Sequence, residues 1–299
     1  MAKTKEIKND KKIVLFSDTD SDLRLSDIKE FDIHILNMPV YIDGEEYIIN
    51  YEKEPRFDAF YKAVREHKKV STAAINVQDY KDTFSPFLKN GQDILYVAFS
   101  SGLSATFESL KIALKELKEE FPDRTVHYVD TLNISLGAGI LAREAGVMLK
   151  NGKTPEEIVK FIEETKHKIQ TIFVVDDLGY LKRGGRISAA TAFVGGILNF
   201  KPVLMVDAEG KLTKKDKCQG TKRSIEYLVN FFKENWNENS EMPIYIIENS
   251  DTIDSKIFLE KISAAVPAEK QHLVVSSWIG PVVGAHSGPG TRGIVFEGR

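Results

Sequence analysis

The feature that most constrains this chain is a pattern repeated through its first half: an apolar strand, a turn of small or acidic residues, then a helical period. Lys12–Phe16 runs into Ser17-Asp18-Thr19-Asp20-Ser21-Asp22. Asp93–Phe99 runs into Ser100-Ser101-Gly102, ahead of an amphipathic stretch from Ser104 to Glu120. Thr125–Val129 runs into Asp130-Thr131, ahead of a helical pattern over Gly137–Lys150. Strands alternating with helices predict a parallel sheet with right-handed crossovers. Ligands of such sheets bind beyond the carboxyl ends of the strands, which is where these three turns lie.

The second half reads differently. Asn151-Gly152-Lys153-Thr154-Pro155 stops one helix and starts another over Pro155–Lys168, with Thr154 as cap and Pro155 in the first turn. Thr171–Val175 is a strand, and Pro202–Asp207 with Lys211–Lys215 around Glu209-Gly210 reads as a hairpin. Ile244–Glu248, His272–Ser276 and Gly293–Phe296 are further strands, with helices over Thr221–Trp236 and Asp254–Ala265. This change predicts an α+β domain following the α/β one, with residues 12–165 in the first and 166–299 in the second. A chain of 299 residues has the length for two medium domains. Residues 1–11 carry charges and no apolar stretch, so they read as a flexible charged tail rather than a signal peptide.

Composition excludes several classes. With 41 Lys+Arg against 44 Asp+Glu, the net charge of −3 gives no electrostatic reason to expect nucleic acid. Cys218 is the one cysteine, which rules out an internal disulfide and a multi-thiolate zinc site, and a reducing cytoplasm is the expected compartment. Cys218 lies in the polar, basic stretch Lys214–Arg223 and reads as incidental. The most apolar window, Ile187–Val206, is interrupted by Ser188, Thr191, Gly195-Gly196, Asn199 and Lys201-Pro202. It suits a buried helix, a turn and a strand better than a bilayer span.

Four motifs bear on chemistry. Phe99 to Thr106 places four hydroxyls and a glycine between a strand and a helix, where unpaired N–H groups and the helix dipole attract an anion. The same segment has the setting of a nucleophile elbow around Ser104, with His286 later in the chain, but lacks the second glycine. In the acidic segment Asp18–Asp22, Asp18 and Asp20 invite a Mg²⁺-phosphatase reading, yet Leu23 and Lys29 break the EF-hand pattern, and caps with an Asx-turn explain the acids as well. Gly288-Pro289-Gly290-Thr291-Arg292-Gly293 matches the dinucleotide fingerprint in spacing alone, since no helix follows it. Before it, His286 sits in the small-residue segment Gly280–Ser287, with room for a ligand. Lys182, Arg183 and Arg186 surround Gly184-Gly185 directly ahead of an apolar run, as a basic rim beside an apolar pocket would.

These motifs, in this order, resemble bacterial DegV-family proteins, the family that includes fatty-acid-binding subunits of fatty acid kinase. The resemblance rests on Thr19–Leu23, Ser100–Thr106, Asp130-Thr131, Leu178–Ile187, Lys201-Pro202 and Gly280–Gly290, and spans about Ile13 to the C-terminus. It implies two α/β domains: an N-terminal Rossmann-like parallel sheet and a C-terminal α+β domain, with one long-chain fatty acid such as palmitate, stearate or oleate held between the two. The carboxylate-binding positions fall on Thr72, Ser104 and His286, with Ser101 and Ser71 nearby. Where the family continues Thr-Ser-Gln-Pro, this chain has Thr72-Ala73-Ala74-Ile75.

By the same resemblance the protein is a cytoplasmic, non-catalytic acyl chain carrier needing no cofactor, metal or catalytic residue. A separate fatty acid kinase catalytic subunit would make the acyl phosphate, with Arg186 and Arg183 near the partner or the phosphate, and any membrane contact would be transient. Serine hydrolysis or a Mg²⁺-dependent phosphatase is the alternative. Burying about 14 methylenes at ~0.8 kcal/mol each yields on the order of 11 kcal/mol before ordering costs, so hydroxyls and one histidine would suffice for the carboxylate.

Overall fold

The computed structural model describes residues 12–51, 57–186, 200–250 and 252–299. The expected tail, residues 1–11, and the apolar segment 187–199 lie outside the described residues.

Near-continuous apolar runs form parallel strands covered on both faces. β1 (Ile13–Asp18) is one: every position after the first is buried. The first half continues with α1 (Leu25–Phe31), β2 (Ile33–Leu36), β3 (Val40–Ile42), β4 (Glu45–Glu46), α2 (Asp58–Arg65), β5 (Val70–Thr72) and α3 (Val77–Lys89). Then follow β6 (Asp93–Ala98), α4 (Thr106–Glu120), β7 (Val126–Asp130), α5 (Leu136–Lys150) and α6 (Pro155–Thr165). The second half holds β8 (Ile169–Val174), α7 (Gly179–Arg183), β9 (Phe200–Val206), β10 (Leu212–Gln219), α8 (Gly220–Asn235) and β11 (Ile244–Glu248). It ends with α9 (Ile253–Ser263), β12 (Val274–Trp278), α10 (Pro281–Ser287) and β13 (Arg292–Glu297).

Among the described residues, β2-β1-β6-β7 form a wholly parallel sheet. A mixed sheet runs β10-β9-β8-β13-β11-β12, parallel only between β11 and β12. The two-domain α/β architecture, parallel first and α+β second, is therefore as expected. The chain passes from one sheet to the other between Thr165 and Ile169. A small antiparallel sheet, β4-β3-β5, was not anticipated; its strands of two or three residues are too short to show a period.

Local signals account for the element ends that were anticipated. Thr154 Oγ1 accepts the Glu157 N–H at 3.3 Å while Glu157 accepts the Thr154 N–H at 2.9 Å, with Pro155 opening α6. α5 packs against β1 and β6 of the parallel sheet and against β8 and β13 of the mixed one. A Cβ on its Gly139 would stand 2.5 Å from the Ser21 carbonyl oxygen, so only glycine permits this approach. Leu15, Leu95, Leu141, Tyr245, Ile247 and Val295 belong to one buried cluster, which joins the two halves.

Cys218, read as incidental, lies in β10, where Leu212 and Cys218 are the two buried positions, and belongs to the cluster that holds Phe231, Phe232 and Val229. Among the described residues no helix is long and apolar enough to cross a membrane.

Candidate functional site

In the parallel sheet β1 and β6 are neighbours whose onward strands lie on opposite sides, so their carboxyl ends define a switch-point crevice. The Asp18-Thr19-Asp20-Ser21-Asp22 segment fills its floor. Asp18 Oδ2 accepts the Phe99 N–H at 2.9 Å and Oδ1 accepts the Tyr96 hydroxyl. Burial pushes the Asp18 carboxyl up to about 6 against these bonds. Asp22 accepts the Ser135 hydroxyl at 2.5 Å and the Gly280 N–H at 2.9 Å, and burial pushes it up to about 7. Both carboxyls tie strand ends and helices together. Among the described residues no group of three acidic, histidine or cysteine side chains is gathered to hold a metal.

Above this floor lies a narrow cavity of about 70 Å³, partly open to solvent. Its walls come from both halves: Met38, Phe99 and Leu103 on one side, Phe173, Leu212 and Ile279 on the other. A mostly apolar cavity with a few convergent polar groups is the usual form of a small-molecule site.

Those polar groups meet through α10. Gly280 caps this helix and Pro281 opens it. Asp22 and the Tyr61 hydroxyl, which donates to the Ile279 carbonyl at 2.8 Å, hold its start against the first half. A Cβ on Gly284 would lie 2.3 Å from that hydroxyl, so the helix docks closely. His286, near its end, places Nε2 2.8 Å from Oγ1 of Thr72, the last residue of β5. Gly184 backs the imidazole, and a Cβ there would be 2.2 Å from Nδ1.

Ser104 lies in the turn before α4, its hydroxyl 2.7 Å from that of Thr106. Arg186 Nε donates to the Leu103 carbonyl at 3.1 Å and Nη1 to Gly184 at 2.5 Å, which fixes the guanidinium beside the same turn. Thr72, Ser104, Arg186 and His286 all line the cavity. Burial and the nearby Arg186 charge push the His286 imidazole down to about 4, so it is neutral at pH 7.

Ser101 and Arg183 lie outside this cluster. Ser101 is exposed, and its N–H donates to Asp130 at 3.3 Å. Arg183 is also exposed, its guanidinium 4.4 Å from the Tyr180 ring centre. With Lys68, Lys69 and Arg186 it lines a second groove, of about 580 Å³, that shares Thr72 and His286 with the first.

A serine relay is not assembled here. The Ser104 hydroxyl pairs with Thr106 and His286 Nε2 with Thr72, while His286 Nδ1 has no partner among the described residues. The glycines at 288–290 serve a structural end: Asn249 bonds the Gly288 carbonyl at 2.6 Å and the Gly290 N–H at 2.8 Å, clamping the turn behind α10. The sequence reading missed four polar wall residues: Asp20 as a cavity group, Ser135, Ser287 and Thr291. Ser135 had one signal, a position beyond a strand end like that of Ser104.

The fold and site define a two-domain α/β protein with an apolar cavity between its halves and a small polar cluster on one wall. The chain belongs to the DegV family: residues 12–299 match the family described as "Uncharacterised protein, DegV family". It is 38% identical over 288 residues to a DegV domain-containing protein of Clostridium perfringens, covering 96% of this chain and 98% of that one. Its fold is similar to that of a DegV family protein from Thermus thermophilus, described for its fatty acid binding, at TM-score 0.81 and 27% identity, covering 95% and 98% of the two chains. Bacillus subtilis DegV, described as a fatty acid binding protein, matches at TM-score 0.79 and 27% identity, over 95% and 98% of the chains.

Proposed function

We propose that this protein binds one long-chain fatty acid, buries its acyl chain in the cavity and offers the carboxylate to a separate kinase subunit that forms the acyl phosphate. The observation that carries the reading is that Thr72 and His286, hydrogen-bonded to each other, and Ser104 all line one mostly apolar cavity. Hydroxyls and a neutral imidazole can donate to a carboxylate without requiring a buried lysine. Relatives described as fatty acid binding share the fold over nearly the whole chain. Arg183 and Arg186 line the adjoining groove and suit a phosphate or an acidic face of the kinase.

Mass spectrometry of denatured, freshly purified protein tests the binding half. About one C14–C18 acid per chain is expected; no such acid above background, together with no uptake of palmitate or oleate, would overturn it. The kinase half is tested with a fatty acid kinase catalytic subunit and ATP. Arg183→Glu is expected to slow phosphorylation of the bound acid, and phosphorylation at the wild-type rate would remove Arg183 from the proposal.

A further inference from the structure

Two groups in the cavity wall take no part in the Thr72–Ser104–His286 cluster. Asp20 is wholly buried, and neither of its carboxyl oxygens has a hydrogen-bond partner among the described residues. Ser287 is 3% exposed, and its hydroxyl is likewise without a partner among the described residues. They come from opposite halves, Asp20 from the turn after β1 and Ser287 from the last turn of α10, and both line the same cavity.

Two other hydroxyls that line the cavity, Ser135 and Thr291, are engaged elsewhere. The Ser135 hydroxyl donates to Asp22, and the Thr291 hydroxyl donates to the carbonyls of Ser287 and Gly288. Buried polar groups are almost always satisfied, so two orphans in one ligand cavity point to a ligand that supplies their partner. A saturated hydrocarbon chain offers them nothing.

We infer that the cavity accepts a long-chain fatty acid bearing a hydroxyl along its chain, with that hydroxyl held by Asp20 and Ser287. This rests on the fatty acid reading and refines its substrate class. A chain hydroxyl donates once and accepts through its oxygen, and so does the Ser287 hydroxyl. Burial, with Asp18 and Asp22 nearby, holds the Asp20 carboxyl well above the ordinary range, and a protonated carboxyl likewise donates and accepts. The three groups can therefore satisfy one another without a net charge in the cavity.

The test uses delipidated full-length protein and measures dissociation constants for stearic acid and for 3-, 10- and 12-hydroxystearic acid. At least one hydroxy acid is expected to bind roughly tenfold or more tightly than stearic acid. That ratio is expected to fall towards one in Ser287→Ala and in Asp20→Leu, the former being the gentler change should the latter fold poorly. Stearic acid bound as tightly as every hydroxy acid, or a preference that survives both substitutions, would overturn this inference and leave the fatty acid reading intact. Failure of all the acids to bind would overturn both.

Discussion

Gly184→Ala isolates the contribution of one imidazole position. The added Cβ would lie 2.2 Å from His286 Nδ1, where ordinary contact begins near 3.4 Å, so the ring must retreat by about 1.2 Å. The Thr72–His286 hydrogen bond is 2.8 Å long and does not survive a retreat of that size. Gly184 has φ −75° and sits just after α7, so alanine adds no backbone strain. The loss should therefore be larger in binding than in stability, where the displaced ring and the broken Thr72 bond cost about 1–2 kcal/mol. A hydrogen bond to a charged group contributes about 1.5–3 kcal/mol, so palmitate should bind roughly 10- to 100-fold more weakly while the melting temperature falls only modestly. Calorimetric titration of delipidated protein with palmitate, beside a thermal melt, reads both. In a His286→Ala background there is no ring to displace, and Gly184→Ala should cost less than ~0.5 kcal/mol of binding. Wild-type affinity in Gly184→Ala, or an equal loss in the two backgrounds, would refute the reasoning.

Three further outcomes follow from the buried titratable groups. Asp22→Ala strips the Ser135 hydroxyl and Gly280 N–H of their acceptor, and a loss of about 2–4 kcal/mol is expected in urea unfolding, with Asp22→Asn intermediate. His286 is held near 4 in the folded state against an ordinary 6.5, so between these values the unfolded chain binds the proton that the folded chain refuses. Its contribution to stability is therefore lost as pH falls through that window, and His286→Gln should gain up to ~2 kcal/mol relative to wild type between pH 7 and pH 5. Asp22, held near 7, runs the other way: the folded state keeps its proton, and stability falls as pH rises from about 4 to 7. Denaturation of both variants at pH 5, 6 and 7 separates the two signs.

The parallel sheet was legible because β1 and β6 are apolar on both faces and end in turns that break the run. The hairpin of β9 and β10 was legible from Glu209-Gly210, and α6 from its capping pair. What escaped was carried by distance in sequence. Thr72 meets His286 through a two-faced α10 of only seven residues, whose docking depends on Gly280, Gly284 and Tyr61 and leaves no period to read. The three aspartates looked alike in sequence, yet the fold separates them: two accept protein donors, while Asp20 turns to the cavity. The resemblance put the carboxylate on Ser104 with Ser101 nearby; the turn places the first in the wall and the second in solvent. Family resemblance supplied Thr72, which no local signal would have singled out.

The charge state of the polar cluster makes a last outcome testable. With the imidazole neutral, Arg186 is the one full positive charge among Thr72, Ser104, Arg186 and His286, and it is already committed to two carbonyls. A fatty acid carboxylate would meet donors that satisfy its oxygens without cancelling its charge, which keeps it nucleophilic towards a phosphoryl donor. The same carboxylate adds a negative charge beside His286 and opposes the effect of Arg186, so the imidazole must titrate at higher pH once the acid is bound. Binding at pH 5 to 6 should then draw protons from solution, and palmitate titrations in buffers of different ionisation heat measure that uptake directly. His286→Gln should abolish it. Equal proton uptake in wild type and His286→Gln at every pH between 4.5 and 6.5 would mean that the carboxylate does not sit beside His286, since the acid's own carboxyl releases the same proton in both.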